Sequence, residues 1–342
     1  MAEEMPARPQ RVPPLKRVTL KDVAREANVS LGSASYAING NGSVDERTRA
    51  HILRTAQKLG YRQNLSAQAM RTGKTRALGL VLPDFSNPFF TALAQFVMRS
   101  ARQHGYSVFV TDTEGAEALE AEALTVLSER GVEGIVWFPI RDTNTAEALT
   151  HEIPTVVMDR SIAGLEAIHA DYAGGGRLAA EHLLALGHRD IGLVCGPMDV
   201  VSVRDRVRGA REAVEAGGGR VVFMVENGFS TDLDPIVAES VTSGQATAVI
   251  CGNDLIALGV IHRAMTAGLQ VPGDLSVVGF DDIPWARLSV PPLTTIEMPI
   301  EDMAAEAVET LLRRIDGRGQ SRRQIVFATV LTERASTAAP KA

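Results

Sequence analysis

Apolar residues recur at helical spacing in three short stretches near the start of the chain. One face of the first stretch carries Leu20, Val23, Ala24 and Ala27. Thr19 precedes this stretch, and Ser30 precedes a second one over residues 31–38, so each suits a helix N-cap. A turn-forming segment at 39–42 leads to a third helix that ends near residue 59. The pattern predicts three helices, the first two joined by a tight turn as in a helix-turn-helix.

From residue 76 onward, short apolar runs alternate with helical periodicities. The predicted strands are 77–82, 107–111, 134–138, 155–158, 191–195, 221–225, 248–251, 276–280 and 324–330. The predicted helices are 89–104, 117–130, 145–150, 174–186, 205–216, 234–242, 255–267 and 300–315. Such alternation favours parallel sheets covered by helices on both faces. Two successive runs in about 260 residues predict an α/β core of two doubly wound parallel-sheet lobes behind a small all-α domain.

Charge divides the chain at the same place. Residues 1–75 hold 13 basic and 6 acidic residues, a net charge of +7, whereas the remainder holds 22 basic and 35 acidic residues, a net charge of −13. A basic head on an acidic body is typical of a nucleic-acid-binding module attached to a second function. Residues 1–16, rich in Pro and Arg, predict a disordered basic arm. A protein-binding three-helix domain is the alternative for the head.

Other function classes lack their residue patterns. The seven histidines show no metal-ligand spacing, and residues 174–176 (Gly-Gly-Gly) lack the Lys-Ser/Thr ending of a phosphate loop. We therefore expect no enzyme activity, no cofactor and no metal. Cys195 and Cys251 lie in apolar strand-like runs and are expected to be buried thiols. Neither a secretory signal nor a membrane span is recognisable, so we expect a cytoplasmic protein without membrane contact.

Residues 18–73 resemble the headpiece of the lactose-repressor (LacI) family of bacterial transcription regulators. The resemblance rests on Val18-Thr19-Leu20-Lys21-Asp22-Val23-Ala24, Val29-Ser30, Ile38-Asn39-Gly40, Thr48-Arg49, Leu59-Gly60-Tyr61-Arg62 and Arg71-Thr72-Gly73-Lys74-Thr75. It implies that a dimer binds a near-palindromic DNA operator.

The resemblance also implies roles for individual side chains. Base edges in the major groove would be read by Leu31, Gly32 and Tyr36. Phosphate contacts would come from Thr19, Ser30, Ser33, Ser35, Asn39, Thr48, Tyr61 and Asn64, and the same interface would include Leu20 and Gln68. Tyr36 stands where several members carry Arg or His, so the operator sequence does not follow from the resemblance.

Residues 64–71 correspond to the hinge helix of the family, which forms when the dimer sits on DNA. Two helical turns are marginal in isolation. Met70 occupies the position of the apolar wedge that enters the minor groove, where leucine is commoner. The alternative is that Met70 is a linker residue packed on the core.

Residues 76–336 resemble the core of the same family, which is shaped like a periplasmic sugar-binding protein. The marks of this resemblance include Asn87-Pro88-Phe89-Phe90, Val157-Met158-Asp159-Arg160, Gly196-Pro197, Cys251-Gly252-Asn253-Asp254, Gly279-Phe280-Asp281-Asp282 and Pro292-Leu293-Thr294-Thr295. Most of these motifs follow a predicted strand, and ligands of such sheets bind at the carboxyl ends of the strands. The expected effector-binding residues are Phe89, Phe90, Asp159, Arg160, Ser202, Arg206, Phe229, Asn253, Asp281 and Trp285.

These residue types suit a polyhydroxylated ligand. Carboxylates accept hydroxyl protons, guanidinium groups donate to hydroxyl oxygens, and aromatic rings cover C–H faces. Plainer readings are that Asp159 pairs with Arg160, that Asp281 caps a turn and that Phe89 belongs to the core. We expect a sugar or sugar derivative, with a purine as the alternative.

The sequence thus predicts an arm (1–16), a helix-turn-helix domain (17–62), a hinge and linker (63–75), a two-lobed core (76–336) and a tail (337–342). The first lobe comprises about 76–170 and 298–327, and the second about 171–297 and 328–336. The expected function is a ligand-controlled, homodimeric DNA-binding regulator, most simply a repressor. A stand-alone solute-binding protein is the alternative, although it leaves the basic head unexplained.

Overall fold

The structure is a computed structural model that describes residues 18–40, 42, 44–62, 73–143, 147–318 and 323–341, without the side chains of residues 148 and 151. It divides into two compact units, residues 1–74 and 75–342.

The first unit is built on three helices with side-chain caps. They are α1 (Leu20–Glu26), α2 (Leu31–Asn39) and α3 (Glu46–Lys58). Thr19 accepts from the backbone N–H of Asp22, whose carboxylate accepts in return from the Thr19 N–H, which completes a capping box. Ser30 accepts from the N–H of Ser33 at 3.0 Å and so begins α2. These caps confirm the predicted helix-turn-helix.

A small apolar core holds the three helices together. Val23, Ala34 and Ile52, one from each helix, are fully buried in it. The outer face of α2 leaves Leu31 and Tyr36 about half exposed, at 46% and 52%. This face therefore does not pack into the core of its own unit.

The second unit contains two six-stranded sheets. The first has the order β11-β5-β4-β3-β1-β2 and every pairing in it is parallel. Its strands are β1 (Ala77–Leu82), β2 (Ser107–Asp112), β3 (Gly134–Trp137), β4 (Thr155–Met158), β5 (Glu166–Ala170) and β11 (Gln324–Phe327). Its helices are α4 (Pro88–Gln103), α5 (Glu117–Glu129), α6 (Glu147–Glu152) and α11 (Ile300–Ile315).

The second sheet has the order β12-β10-β9-β8-β6-β7, parallel except for its β12 edge. Its strands are β6 (Asp190–Cys195), β7 (Arg220–Glu226), β8 (Ala248–Cys251), β9 (Ser276–Asp281), β10 (Thr294–Glu297) and β12 (Val330–Thr332). Its helices are α7 (Tyr172–Ala185), α8 (Val201–Ala216), α9 (Pro235–Thr242) and α10 (Asp254–Thr266). The two doubly wound lobes confirm the predicted fold class.

The chain passes between the lobes three times: after β5, after β10 and after β11. The single strand predicted over 324–330 is wrong, because this stretch is two strands that belong to different sheets. Residues 328–329 separate them and carry the third crossing. The predicted lobe boundary lies between residues 327 and 328, whereas the local pattern over 324–330 does not divide the strand.

Residues 337–341, predicted as part of a tail, hydrogen-bond to the second lobe. The Ala338 N–H donates to Ser276 Oγ at 3.1 Å, and its carbonyl lies 2.8 Å from His188 Nε2. His188 is buried and contacts Thr247 through its other ring nitrogen, so the end of the chain is anchored in the lobe. Within the described residues, no helix is long and apolar enough to cross a membrane.

Candidate functional site

A small cavity opens between the two lobes at the carboxyl ends of their strands. The first lobe contributes Asn87, Phe89, Phe90, Asp159 and Arg160, and the second contributes Arg206, Phe229, Asn253 and Asp281. The cavity, called the cleft pocket here, has a volume of about 40 Å³. That space holds two or three waters rather than a monosaccharide. In this arrangement of the lobes, called the closed arrangement here, the pocket is therefore too small for a monosaccharide.

Asp159 is the centre of a network that joins the lobes. It follows β4 with φ +68°, a left-handed backbone that non-glycine residues adopt mostly at special sites. Its carboxylate accepts from the Tyr172 hydroxyl and from Arg160 Nη1. Ser202 Oγ lies 3.2 Å from Arg160 Nη1 and donates to Asp159 at 3.3 Å. Since Tyr172 and Ser202 belong to the second lobe, the network spans the cleft.

Burial shifts the pKa of two members of this network. The Tyr172 side chain is buried, which raises its pKa to about 12, so its hydroxyl remains a donor. Burial also lowers the pKa of Arg160 from its ordinary value of 12.5. Even so, a guanidinium that faces a carboxylate stays charged. The Nε atom of Arg160 is buried and has no hydrogen-bond partner among the described residues.

Arg206 supplies the main cationic group of the second lobe. Its guanidinium carbon lies 3.9 Å from the centroid of the Phe280 ring and 5.0 Å from that of Tyr172. Its Nη1 donates to the Gly252 carbonyl at 2.6 Å and lies 3.4 Å from Asp281 Oδ1. Stacking and pairing hold the guanidinium plane in place, while its Nε remains without a partner in the described part of the chain.

A close crossing of two helices sets the position of Arg206. A Cβ atom on Gly176 of α7 would overlap the carbonyl oxygen of Arg206, and one on Gly209 of α8 would overlap that of Ala173. The two backbones approach this closely only because both positions lack a side chain. The crossing therefore fixes α8, and with it Arg206, against the start of α7.

Asp281 is a buried acceptor that its neighbours leave incompletely paired. It ends β9 with φ +107°, and Asp282 follows with φ +53°. Burial raises the pKa of Asp281 to about 6, against the opposing effect of Arg206. Its Oδ1 has no hydrogen-bond partner among the described residues. A ligand hydroxyl would satisfy this oxygen.

Asp254 supports the loop that presents Asp281. Its carboxylate is fully buried, accepts from the Ile283 N–H at 2.8 Å and from the Thr295 hydroxyl. Burial, followed by the nearby charge of Asp281, raises the pKa of Asp254 well above its ordinary value. The preceding residue, Asn253, caps α10 by accepting from the Ile256 N–H at 3.0 Å. Asn253 also lines the cleft pocket.

Aromatic rings form the apolar side of the cleft pocket. Phe89 and Phe90 meet edge to face, with centroids 5.2 Å apart and an interplanar angle of 76°. Asn87 caps α4 by accepting from the Phe89 N–H at 3.0 Å, which holds both rings at the start of that helix. Phe229 approaches from the second lobe against Gly196.

Eight of the ten expected effector residues line the cleft pocket. Ser202 lies behind it, where it contacts Asp159 and Arg160. Trp285 is 48% exposed and is not part of the lining. Asn87 also lines the pocket, although its Asn-Pro motif did not predict that role, and Tyr172 contacts Asp159 although no motif marks it.

A loop of the first lobe also reaches the second lobe beside the cleft. Arg141 pairs with Glu117 in its own lobe and donates to Asp199 of the other lobe at 2.8 Å. Asp142 accepts from the Val201 N–H at 3.4 Å, at the start of α8. Buried Glu120 holds this loop by accepting from the Ile140 N–H at 2.8 Å. These contacts, called the interlobe latch here, join the lobes in the closed arrangement.

In the first unit, the expected DNA-facing residues gather around α2. Ser30 and Ser33 lie within 2.9 Å of each other at its start, and Asn39 donates to the Ser35 carbonyl at 2.7 Å near its end. Gly32 is exposed, and the ring of Tyr36 packs against Gly42. Elsewhere in the unit lie Thr19, Leu20, Thr48 and Tyr61, whereas Asn64, Gln68 and Met70 fall outside the described residues.

Comparisons with known proteins agree with this architecture. The family model "Bacterial regulatory proteins, lacI family" matches residues 19–64, and the "Periplasmic binding protein-like domain" matches 180–337. The HTH-type transcriptional regulator DegA of Bacillus subtilis is 31% identical over 94% of this chain and 98% of its own length. MalR of Streptomyces coelicolor is 34% identical, over 93% and 96%. The transcriptional repressor PurR of Vibrio campbellii is 31% identical, over 89% and 94%.

Solved structures extend the likeness to the whole chain. The lac repressor dimer bound to operator and the anti-inducer ONPF matches with a TM-score of 0.85 and 28% identity, over 95% of this chain and all of that one. A complex of the transcriptional regulator CelR with cellobiose matches with a TM-score of 0.70 and 27% identity, over 94% of this chain and all of that one.

Proposed function

This chain belongs to the LacI family of bacterial transcriptional regulators, and we propose that it is a homodimeric repressor whose operator affinity is controlled by a neutral sugar in the cleft pocket. The observation that carries the proposal is that one chain holds both an exposed α2 face on a basic headpiece and a cleft lined by paired carboxylates and guanidinium groups. A stand-alone solute-binding protein has no use for the first of these.

The DNA part of the proposal rests on the helix-turn-helix. The outer face of α2 presents Leu31, Gly32 and Tyr36 together, and Ser30 caps the start of that helix. In a helix-turn-helix the second helix enters the major groove, and apolar side chains there contact thymine methyl groups. A dimer presents two such helices, so the operator is expected to be a near-palindrome. The lac repressor structure, a dimer on its operator, is consistent with this arrangement.

The charges of the cleft pocket favour a neutral ligand. Asp159 faces Arg160, and Asp281 faces Arg206, so the formal charges of the lining cancel. An anionic sugar acid or sugar phosphate would break this balance inside a buried site, which is costly. Asp281 Oδ1 is ion-paired with Arg206 but lacks a hydrogen bond, and Arg206 Nε lacks one as well, so adjacent hydroxyl groups of a sugar would complement an acceptor and a donor.

A purine effector is the second candidate, and the similarity to PurR favours it. A flat nucleobase is best held between two parallel faces. Phe89 and Phe90 are nearly perpendicular, so they offer one face and one edge. We therefore place the sugar first.

Effector control follows from the closed cleft. Because the cleft pocket is smaller than a monosaccharide, the effector enters only when the lobes separate. Binding then shifts the population between lobe arrangements by its differential affinity for them. We propose that this shift changes the spacing of the two hinge segments in the dimer and thereby the operator affinity.

The test uses the purified full chain in two steps. DNA-affinity selection from genomic fragments of the source organism should enrich near-palindromic sites whose binding weakens steeply with salt. Thermal-shift screening with neutral sugars, sugar acids and nucleobases should then give stabilisation by a neutral sugar that also changes binding to the selected site. If no salt-sensitive site is enriched, the DNA proposal is wrong. If a nucleobase alone stabilises the chain, the purine candidate replaces the sugar.

A further inference from the structure

A second and larger cavity shares a wall with the cleft pocket. It has a volume of about 250 Å³, and the two cavities have Asp159 and Arg160 in common but no other lining residue. We call it the hinge pocket. Besides these two, its polar lining includes Ser161, His169 and Gln324 from the first lobe, and Asp171, Tyr172, Ser202, Asp205 and Arg208 from the second.

The hinge pocket contains polar groups that the protein only partly satisfies. Arg160, a buried residue with 7% of its surface exposed, lies in its wall, and the Nε of that residue has no partner among the described residues. Ser161 Oγ accepts from Gln324 Nε2 at 3.1 Å and lies 3.3 Å from His169 Nε2. These three side chains form a linked row along the first lobe. A ligand hydroxyl can join such a row as donor and acceptor.

The charges of the hinge pocket disfavour an anionic ligand. Asp159 pairs with Arg160, and Asp205 pairs with Arg208 at 2.9 Å. Burial and the charge of Arg160 lower the pKa of His169, so its ring is neutral near pH 7 and can both donate and accept. Asp171 also lines the cavity, but its carboxylate caps α7 by accepting from the Gly174 N–H at 2.8 Å.

We propose that the hinge pocket is a second binding site, for a small neutral polyhydroxylated molecule no larger than a monosaccharide. Its volume lies just below the range typical of drug-sized ligands. Val201 and Val326 supply apolar surface for the C–H groups of such a molecule. Because both lobes line the pocket, its ligand stabilises the lobe arrangement seen here.

The test blocks the hinge pocket without touching the cleft pocket. Val326 lies on the edge strand β11 and is 61% exposed, so Val326→Trp can fill the pocket from its rim. Val330→Trp is the matched control, because Val330 is 59% exposed and does not line the pocket. Methyl NMR of valine-labelled full chain follows Val201, which lines the hinge pocket and not the cleft pocket. The probes are D-ribose, D-glucose and myo-inositol at millimolar concentrations, with D-glucose 6-phosphate as the anionic comparison.

We expect at least one neutral probe to shift the Val201 methyl signals saturably in the native chain and in V330W, with at least about tenfold weaker binding in V326W. If V326W does not fold, Gln324→Ala, an exposed change, should weaken binding about threefold or more. Equal affinity in V326W and V330W would assign the response to the cleft pocket and overturn the proposal. No saturable shift, or tighter binding of glucose 6-phosphate than of glucose, would also overturn it. None of these readouts involves DNA, so failure of this proposal can be distinguished from failure of the proposed operator binding.

Discussion

The guanidinium carbon of Arg206 lies 3.9 Å from the centre of the Phe280 ring, while the same group faces Asp281. A planar cation can stack on a ring and present its fork edge-on at the same time, which an ammonium group cannot. Arg206→Lys should therefore weaken effector binding about 30-fold or more. Isothermal titration calorimetry with the effector found by screening measures the loss.

Arg211→Lys is the matched control for this change. Arg211 lies on the same helix, is about half exposed and pairs with Glu215. Its replacement should leave the affinity unchanged. If both variants bind the effector like the native chain, the assignment of Arg206 to the effector site is wrong.

The second prediction concerns two leucines of the headpiece. Leu31 on α2 and Leu53 on α3 are 46% and 45% exposed, so each can be shortened at little cost to the fold. Leu31→Ala should weaken binding to the selected operator about tenfold, since an apolar contact to the bases is lost. Leu53→Ala should change it little. Fluorescence anisotropy with labelled operator compares them, and equal losses would show that α2 is not the reading helix.

The third prediction follows from the raised pKa of Asp281. The pKa is about 6 in the folded chain, against 3.8 for the free side chain, so the folded state takes up a proton first as the pH falls. The native core should gain about 1 kcal/mol of unfolding free energy, relative to Asp281→Asn, between about pH 7 and about pH 5. Fluorescence of Trp137 and Trp285, both in the second unit, follows urea unfolding of that unit. If the difference in unfolding free energy between the native chain and Asp281→Asn stays constant or falls as the pH decreases, that result would contradict the burial of a charged Asp281.

The fourth prediction concerns the interlobe latch. Asp199→Asn removes the ion pair that Arg141 makes across the cleft, whereas Glu117→Gln removes only the pair within its own lobe. Because these side chains are about half exposed, the cross-lobe pair is worth no more than about 1 kcal/mol. Asp199→Asn should raise the effector association rate about two- to fivefold in stopped-flow experiments. A rate that rises equally in Glu117→Gln would mean that the latch does not restrain opening.

The fifth prediction comes from the sequence, since Met70 lies outside the described residues. If Met70 is the wedge that enters the minor groove, Met70→Ala should weaken operator binding much more than binding to random duplex DNA. Competition experiments at one fixed salt concentration compare the two. Equal losses of affinity on both duplexes would show that Met70 makes no contact specific to the operator.

Strand ends were the part of the site that the sequence revealed best. Asp159 and Asp281 follow buried strands, and parallel sheets bring such ends together, so their meeting was predictable. Tyr172 was not, because it begins a helix and reaches Asp159 only through the way the lobes are arranged. Trp285, an aromatic residue close to Asp281 in sequence, lies at the surface and outside the cleft pocket, so its role in effector binding stays a prediction.

The fold was predictable where strands are long and apolar. Strands β5 and β10 were missed because each is short and mixes polar with apolar residues, as in Glu166–Ala170 and Thr294–Glu297. Their assignment depends on neighbours distant in sequence, such as the pairing of β10 with β9 and β12. Local periodicity carries no information about that pairing.

The close crossing of α7 and α8 at Gly176 and Gly209 also bears on how such a protein can evolve. A new effector can be accommodated by exchanging side chains around the cleft, one substitution at a time. Neither glycine can follow that route, because any larger residue would push the α7 and α8 backbones apart. These two positions should therefore accept no substitution in a library selected for altered ligand response, even though neither glycine lines the cleft pocket. Variants with substitutions at these two glycines would not be recovered from the selection, so both codons should be left unchanged when the library is designed.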